Sequence, residues 1–356
     1  MPRKSIINRS MLMVIASYCV GLLIVLALIN YAGFSNVIGN IVNKISLQLF
    51  IVTFLLDLTG LILYASIWYT LILGSGAKIS FRTAVTSTWA SIFIVYLSPT
   101  GVAMEVLKLI LTNKDGKVPI GRGMAALTMQ RIIYSISFIM IATSSYLIVQ
   151  YRYMIIGEMI GRIITALLAI SIGTVIALLI LGEKTEWIEK IISKVYERYR
   201  ANIEKMLSKY NPTDIMNSVS STLNDFKESF TKLKLNIWHL LIAFTLTTIN
   251  WMTNVAILYV VLLSLGYKVS IWILMVIMVA CEFVQMTPVA IPGMLGVIET
   301  VITMALQAFG VPLDVAATAS VLTRLATFWF DLPVTAMAAS YYGVKYLLKG
   351  MSKEAN

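Results

Sequence analysis

The chain has 356 residues, of which 59% are hydrophobic and only 13% charged, and its mean hydropathy is +0.85. That composition excludes a soluble globular core and points to an integral membrane protein. The net charge of +11 would suit a nucleic-acid binder, but its distribution argues against one: the basic residues gather in separate polar connections, the positive-inside signature. Cys19 and Cys281 both lie in apolar runs, which leaves no disulfide framework and no zinc knuckle. The single histidine, His239, sits at the edge of an apolar run and reads as an interfacial side chain. With no phosphate-binding glycine loop, no Ser-His-Asp set and no zinc signature, no catalytic residue, cofactor or metal is expected.

Residues 11–30 read as a first span behind Arg3, Lys4 and Arg9, a retained anchor with no A-x-A-like cleavage site after it. An outer loop (31–45) leads to a long second span (46–73) with Asp57 in its apolar interior. Lys78 and Arg82 then return the chain to the cytoplasm. The apolar region 83–111 is interrupted by Ser98-Pro99-Thr100-Gly101, and its arms of roughly 15 and 10 residues are too short to cross a core that needs about 20. A re-entrant hairpin keeps Lys114, Lys117, Arg122 and the basic 183–236 segment all inside, whereas a single kinked span would put them all outside. The hairpin is preferred.

Two spans follow, 123–149 and 155–181. The polar segment 183–236 repeats apolar residues at helical spacing (Trp187, Ile191, Val195, Tyr199) opposite a mixed-charge face. Asn211-Pro212 starts a second amphipathic helix, so the segment reads as a helical pair on the inner membrane face. A span at 237–265 precedes a second broken region, with arms 271–286 and 294–309 around Pro288, Pro292, Gly293 and Gly296. Prolines and glycines break an ordinary helix. In hydrocarbon, broken backbone survives only where protein or a watery cavity covers it. A last span, 315–342, carries Arg324 and Asp331 on one face and ends at Lys345, Lys349 and Lys353.

The two broken regions resemble each other. The first has Pro99, Gly101 and Glu105, then Val118-Pro119-Ile120 and Arg131; the second has Pro292, Gly293 and Glu299, then Val311-Pro312-Leu313 and Arg324. Pro119 to Arg131 and Pro312 to Arg324 have the same spacing. One hairpin opens from each side, so the copies are inverted, a common transporter plan. The expected fold is an all-α polytopic membrane protein with about six full spans plus two re-entrant broken-helix hairpins in an inverted repeat. The restarting helices would aim positive dipole ends at the centre, Arg131 and Arg324 would add full charges, and Glu105 and Glu299 would balance them in an empty site.

These residues carry a resemblance. Pro292-Gly293-Met294-Leu295-Gly296-Val297-Ile298-Glu299, with Gly310-Val311 and Arg324, is similar to the Pro-Gly-Gly-x-Gly-x-x-Glu … Gly-Val … Arg pattern of the flippase-like membrane domain of lysyl-phosphatidylglycerol synthases. Met294 stands at that family's second Gly, Lys108 near a usual Arg, and Tyr134 where an Asp often follows the Arg. The resemblance covers nearly the whole chain but not the aminoacyl-transferase domain of the bacterial synthases. It implies transbilayer movement of a phosphate-headgroup lipid, an aminoacyl-phospholipid or a polyprenyl-phosphate-linked sugar, with no covalent chemistry. The expected setting is the plasma membrane with both termini cytoplasmic, the expected partner is that lipid and not nucleic acid, and self-association stays open.

The candidate substrate-binding residues are thus Pro99, Gly101, Glu105, Lys108, Arg131, Pro292, Gly293, Gly296, Glu299, Arg324, Asp331 and Asp57. Asp57 and Asp331 are the weaker of these, on a level with Glu282 and Asn250. Against these stand plainer readings: kinks that only help packing, and Glu–Arg pairs that are structural salt bridges. Against lipid movement stand a small-solute or ion pathway, which would need a closed lumen instead of a groove open to lipid, and a membrane-embedded lipid-modifying enzyme.

Overall fold

The computed structural model describes residues 3–96, 101–153, 158–206, 212–286 and 291–354, and every regular element in them is helical. The first part of the chain forms α1 (Arg3–Tyr31), α2 (Phe34–Asn43), α3 (Leu47–Gly74), α4 (Phe81–Phe93), α5 (Gly101–Gly116), α6 (Ile120–Tyr153) and α7 (Glu158–Glu183). The amphipathic pair follows as α8 (Thr185–Met206) and α9 (Pro212–Leu235), with Pro212 in the first position. The remainder is α10 (Ile237–Ser264), α11 (Ile271–Met286), α12 (Val297–Ala308), α13 (Leu313–Ala326) and α14 (Phe328–Glu354). Among the described residues, five stretches are long and apolar enough to cross a bilayer: Val14–Tyr31, Leu47–Gly74, Ile120–Arg152, Ile164–Glu183 and Ile237–Ser264. The protein is an all-α, multi-pass membrane protein.

Both broken regions take the hairpin form. Their arms have 13 and 16 residues (α4, α5) and 16 and 12 residues (α11, α12). At 1.5 Å per residue the longest reaches only about 24 Å, short of a core of about 30 Å. Within each region the two arms pack on each other, and the short 3₁₀ turns at the breaks, Ile94–Tyr96 and Pro292–Met294, touch. The helices that precede the hairpins, α3 and α10, form the most extensive pairing in the molecule. The hairpins are exchanged between copies: α4 packs against α14, and α11 packs against α6.

The repeat begins earlier than the proline and arginine spacing shows. Gly76-Ala77-Lys78-Ile79-Ser80 after α3 matches Gly266-Tyr267-Lys268-Val269-Ser270 after α10. The two glycines have φ of 82° and 80°. Gly76 N donates to Leu73 O (3.0 Å) and Ala77 N to Ile72 O (3.3 Å); Gly266 N donates to Leu263 O (3.0 Å) and Tyr267 N to Leu262 O (2.9 Å). Each helix therefore ends in the same left-handed cap, which satisfies its last carbonyls.

Two expectations need correction. Residues 31–45 are not a loop: they contain α2, pinned to α13 where Asn40 Nδ2 donates to Asp314 Oδ2 (3.0 Å) and Thr318 Oγ1 (3.4 Å). Nor is 315–342 one span, so a sixth uninterrupted crossing helix is not formed there. It breaks at Thr327 (φ −104°, ψ −80°) into α13 and α14. The break turns Phe328 inward, where its ring packs edge-on against Tyr96 (centroids 5.0 Å apart) and beneath the Arg324 guanidinium (4.6 Å). An apolar run does not reveal this, because Thr-Phe-Trp-Phe is as compatible with a continuous helix as with a break.

The largest apolar core lies among α6, α10, α11, α12 and α13, around Phe138, Leu258, Leu274, Ile302 and Leu322. A second joins α3, α6 and α9 through Trp68, Ala125 and Phe230. Large apolar side chains on α1 (Leu23, Leu26) and α7 (Ile170, Ile176) stay exposed, as surfaces meant for lipid do.

Candidate functional site

The second hairpin is bent by backbone that only a few residues tolerate. Gly293 has φ 58°, and a Cβ there would overlap the Phe328 ring. Met294 follows at φ 51°, a left-handed conformation that costs a side-chain-bearing residue roughly 1–2 kcal/mol. The backbone thus keeps the shape a glycine would adopt at this position although the residue is methionine. Gly296 presses against Ile24 of α1.

Helix α12 restarts here, and its own third residue caps it. Gly296 N donates to Glu299 Oε2 at 2.7 Å, half of a capping box. The carboxylate therefore occupies the positive helix end that the sequence suggested for an anion. Glu299 is only 1% exposed, and its Oε1 accepts from Arg324 Nε at 3.1 Å. Arg324 Nη2 donates to Gly293 O at 2.6 Å. With two of its roughly five N–H donors committed and one face on Phe328, the guanidinium is held rigidly at the wall of a cavity of about 360 Å³.

That cavity is polar on several sides. Asp57 from α3, Tyr96 beside the first break, Trp251 and Asn254 from α10, Glu282 and Gln285 from α11, and Asp331 from α14 share its lining with Arg324 and Gly293. The Trp251 indole N–H is buried and has no hydrogen-bond partner among the described residues. Tyr96 Oη donates to Asp331 Oδ2 (3.1 Å), and Tyr18 Oη on α1 donates to the Tyr96 carbonyl. A smaller cavity of about 150 Å³, lined by Tyr64 and Asn250, shares Asp57, Asn254 and Asp331 with the first.

The first copy builds a different arrangement from matching residues. Glu105 Oε1 pairs with Arg131 Nη2, and Glu105 Oε2 with Lys108 Nζ at 2.9 Å. Lys108 is fully buried, donates to Gln130 Oε1 (3.1 Å), and sits over the rings of Trp68 (4.5 Å) and Tyr64 (5.4 Å). Such cation–π contacts strengthen when desolvated. Arg131 keeps 51% of its side-chain surface exposed, whereas Arg324 keeps 14%. Tyr64 lies near Lys108 and also lines the smaller cavity, so the polar groups of the two copies are linked.

Of the residues singled out from the sequence, Asp57, Gly293, Arg324 and Asp331 line the larger cavity. Glu105, Lys108 and Arg131 form one cluster; Glu299 stands behind Arg324. Pro292 is buried in the turn, Gly296 precedes α12, and Gly101 heads α5. Pro99 lies outside the described residues. The sequence reading passed over Tyr64, Tyr96, Trp251 and Gln285. Trp251 had a signal, since it sits mid-helix beside Asn250 and Asn254, far from an interfacial belt. Tyr96, just before the first break, had none.

Broken half-length hairpins, exchanged between two copies of one repeat and carrying buried charge, define a duplicated, multi-pass membrane protein. The chain belongs to the family described as the lysylphosphatidylglycerol synthase TM region, whose model matches residues 14–334. It is 23% identical over 318 residues to a UPF0104 membrane protein of Pyrococcus horikoshii, covering 87% of this chain and 91% of that one. A UPF0104 membrane protein of Archaeoglobus fulgidus is 26% identical over 312 residues, 87% of this chain and 92% of its own. One from Methanocaldococcus jannaschii is 22% identical over 326 residues, 90% and 91%. Membership in this family suggests a role connected with membrane lipids.

Proposed function

We propose that the protein moves a lipid with a phosphate headgroup between leaflets, without altering it covalently, through the polar region where the two hairpins meet. The observation that carries this reading is the linked pair of cavities, the larger with Arg324 on its wall and the smaller with Tyr64, the neighbour of the buried Lys108, on its own. Arg131 lies about 16 Å along α6 from its start, inside a stretch apolar enough to cross a bilayer, and yet stays half exposed. A guanidinium at such depth must meet water or a headgroup. Arg324 offers its remaining donors to a phosphate, and Asn254, Glu282 and Gln285 offer acceptors to hydroxyl or ammonium groups. That mix fits an aminoacyl-phospholipid or a polyprenyl-phosphate-linked sugar better than a bare anion. In this reading the copies are inverted across the plasma membrane and both termini are cytoplasmic.

The test uses purified protein in liposomes that carry a fluorescent anionic phospholipid. Transfer should be faster than in protein-free liposomes. The double variant Glu299→Gln with Arg324→Met should abolish the excess while leaving the thermal transition intact, because removing both charges leaves neither stranded. Unchanged transfer in a folded double variant would remove Arg324 from the pathway.

A further inference from the structure

Asp57 and Asp331 stand at the wall between the two cavities, one from each copy of the repeat, and line both. Asp57 is 7% exposed, and its Oδ2 receives no N–H or O–H from any described residue; the same holds for Asp331 Oδ1. The two carboxyl groups nevertheless lie within hydrogen-bonding reach of each other. Two carboxylates have no hydrogen to offer; a carboxylic acid and a carboxylate do. Like charges so close and so poorly hydrated cannot both ionise.

Among the described residues, Arg324 is the one cation that lines either cavity. It faces the pair from α13, and two of its donors are already engaged by Glu299 and the Gly293 carbonyl. From the turn after α4, Tyr96 gives its one proton to Asp331. From α11 come Glu282 and Cys281, from α3 Tyr64, and from α10 the neutral Asn250 and Asn254. The positions of these neighbours leave the carboxyl–carboxyl contact to be held by a proton of its own.

The geometry points to a proton-binding site: Asp57 and Asp331 share one proton, and headgroup passage between the two cavities is coupled to its uptake and release. When the proton leaves to water in either cavity, two carboxylates remain face to face and repel, and the wall they form parts. When a proton returns, the hydrogen bond between α3 and α14 reforms and the wall closes. The coupling rests on the transport reading above; the proton site does not.

Two measurements test it. In lipid-reconstituted protein at neutral pH, the infrared carbonyl band of a protonated carboxylic acid should be present. It should be lost in Asp57→Asn and in Asp331→Asn, either of which suffices if the other fails to fold, and kept in Glu282→Gln. Absence of the band in the unsubstituted protein, or its loss only in Glu282→Gln, overturns the site. In liposomes, an imposed pH gradient should change the rate of lipid transfer by the unsubstituted protein. Transfer that ignores the gradient overturns the coupling. A band of the expected behaviour with no transfer of any probe lipid leaves the proton site standing and overturns the transport reading instead.

Discussion

The Glu–Arg pairs of the two copies sit at nearly equal spacing, yet they are built for different work. Glu299 caps a helix, holds Arg324, and is sealed from solvent, so the pair behaves as a strut that also presents one guanidinium face to a cavity. Glu105 holds two cations, one buried under aromatic rings and one half exposed. A duplicated pattern therefore conserves where charge is placed more faithfully than how firmly it is held.

The sharpest way to break this comparison is to delete each arginine. Arg324→Met leaves Glu299 buried with only the Gly296 N–H and should cost roughly 3–5 kcal/mol, read as a lowered unfolding midpoint in detergent. Arg131→Met leaves Glu105 still paired with Lys108 and removes a half-exposed group, so about 1 kcal/mol is expected. Equal losses would mean the pairs are equivalent. Between these falls Gly293→Ala, about 2–3 kcal/mol by the same measurement, because the left-handed backbone and the Phe328 ring both oppose a side chain. The smallest effect should come from Met294→Gly. Relief of the left-handed strain outweighs the added freedom of glycine in the unfolded chain by a few tenths, about 0.5 kcal/mol of stabilisation. Destabilisation instead would show that Met294 contributes more through packing than its backbone costs.

Much of the architecture was legible because membrane burial writes itself in long periods. Runs of apolar residues gave α3, α6, α7 and α10, the proline–glycine breaks gave the hairpins, and Pro212 gave the start of α9. The charged residues of both pairs were found because ionisable groups are rare in such runs. Thr327 escaped because its break arises from where Phe328 can be received, by Tyr96 and Gly293, which are remote in sequence. α2 escaped because ten residues of mixed polarity carry little signal until α13 supplies Asp314 and Thr318. Trp251 and Tyr96 belong to the cavity only through the meeting of separate helices, and no local pattern encodes that. The matching Gly-x-Lys-Ile/Val-Ser turns were visible and would have extended the repeat by a whole helix on each side.

The exchange of hairpins has a consequence for how the chain comes to be assembled. α4 is made early, but the helix that clasps it, α14, is made only after α5 to α13, and Thr86 Oγ1 meets Tyr342 Oη (3.1 Å) only when that happens. Until then the serine and threonine face of α4 has no permanent neighbour from the later copy. The first copy is thus completed by a helix of the second, and loss of α14 would leave the first hairpin without its cover.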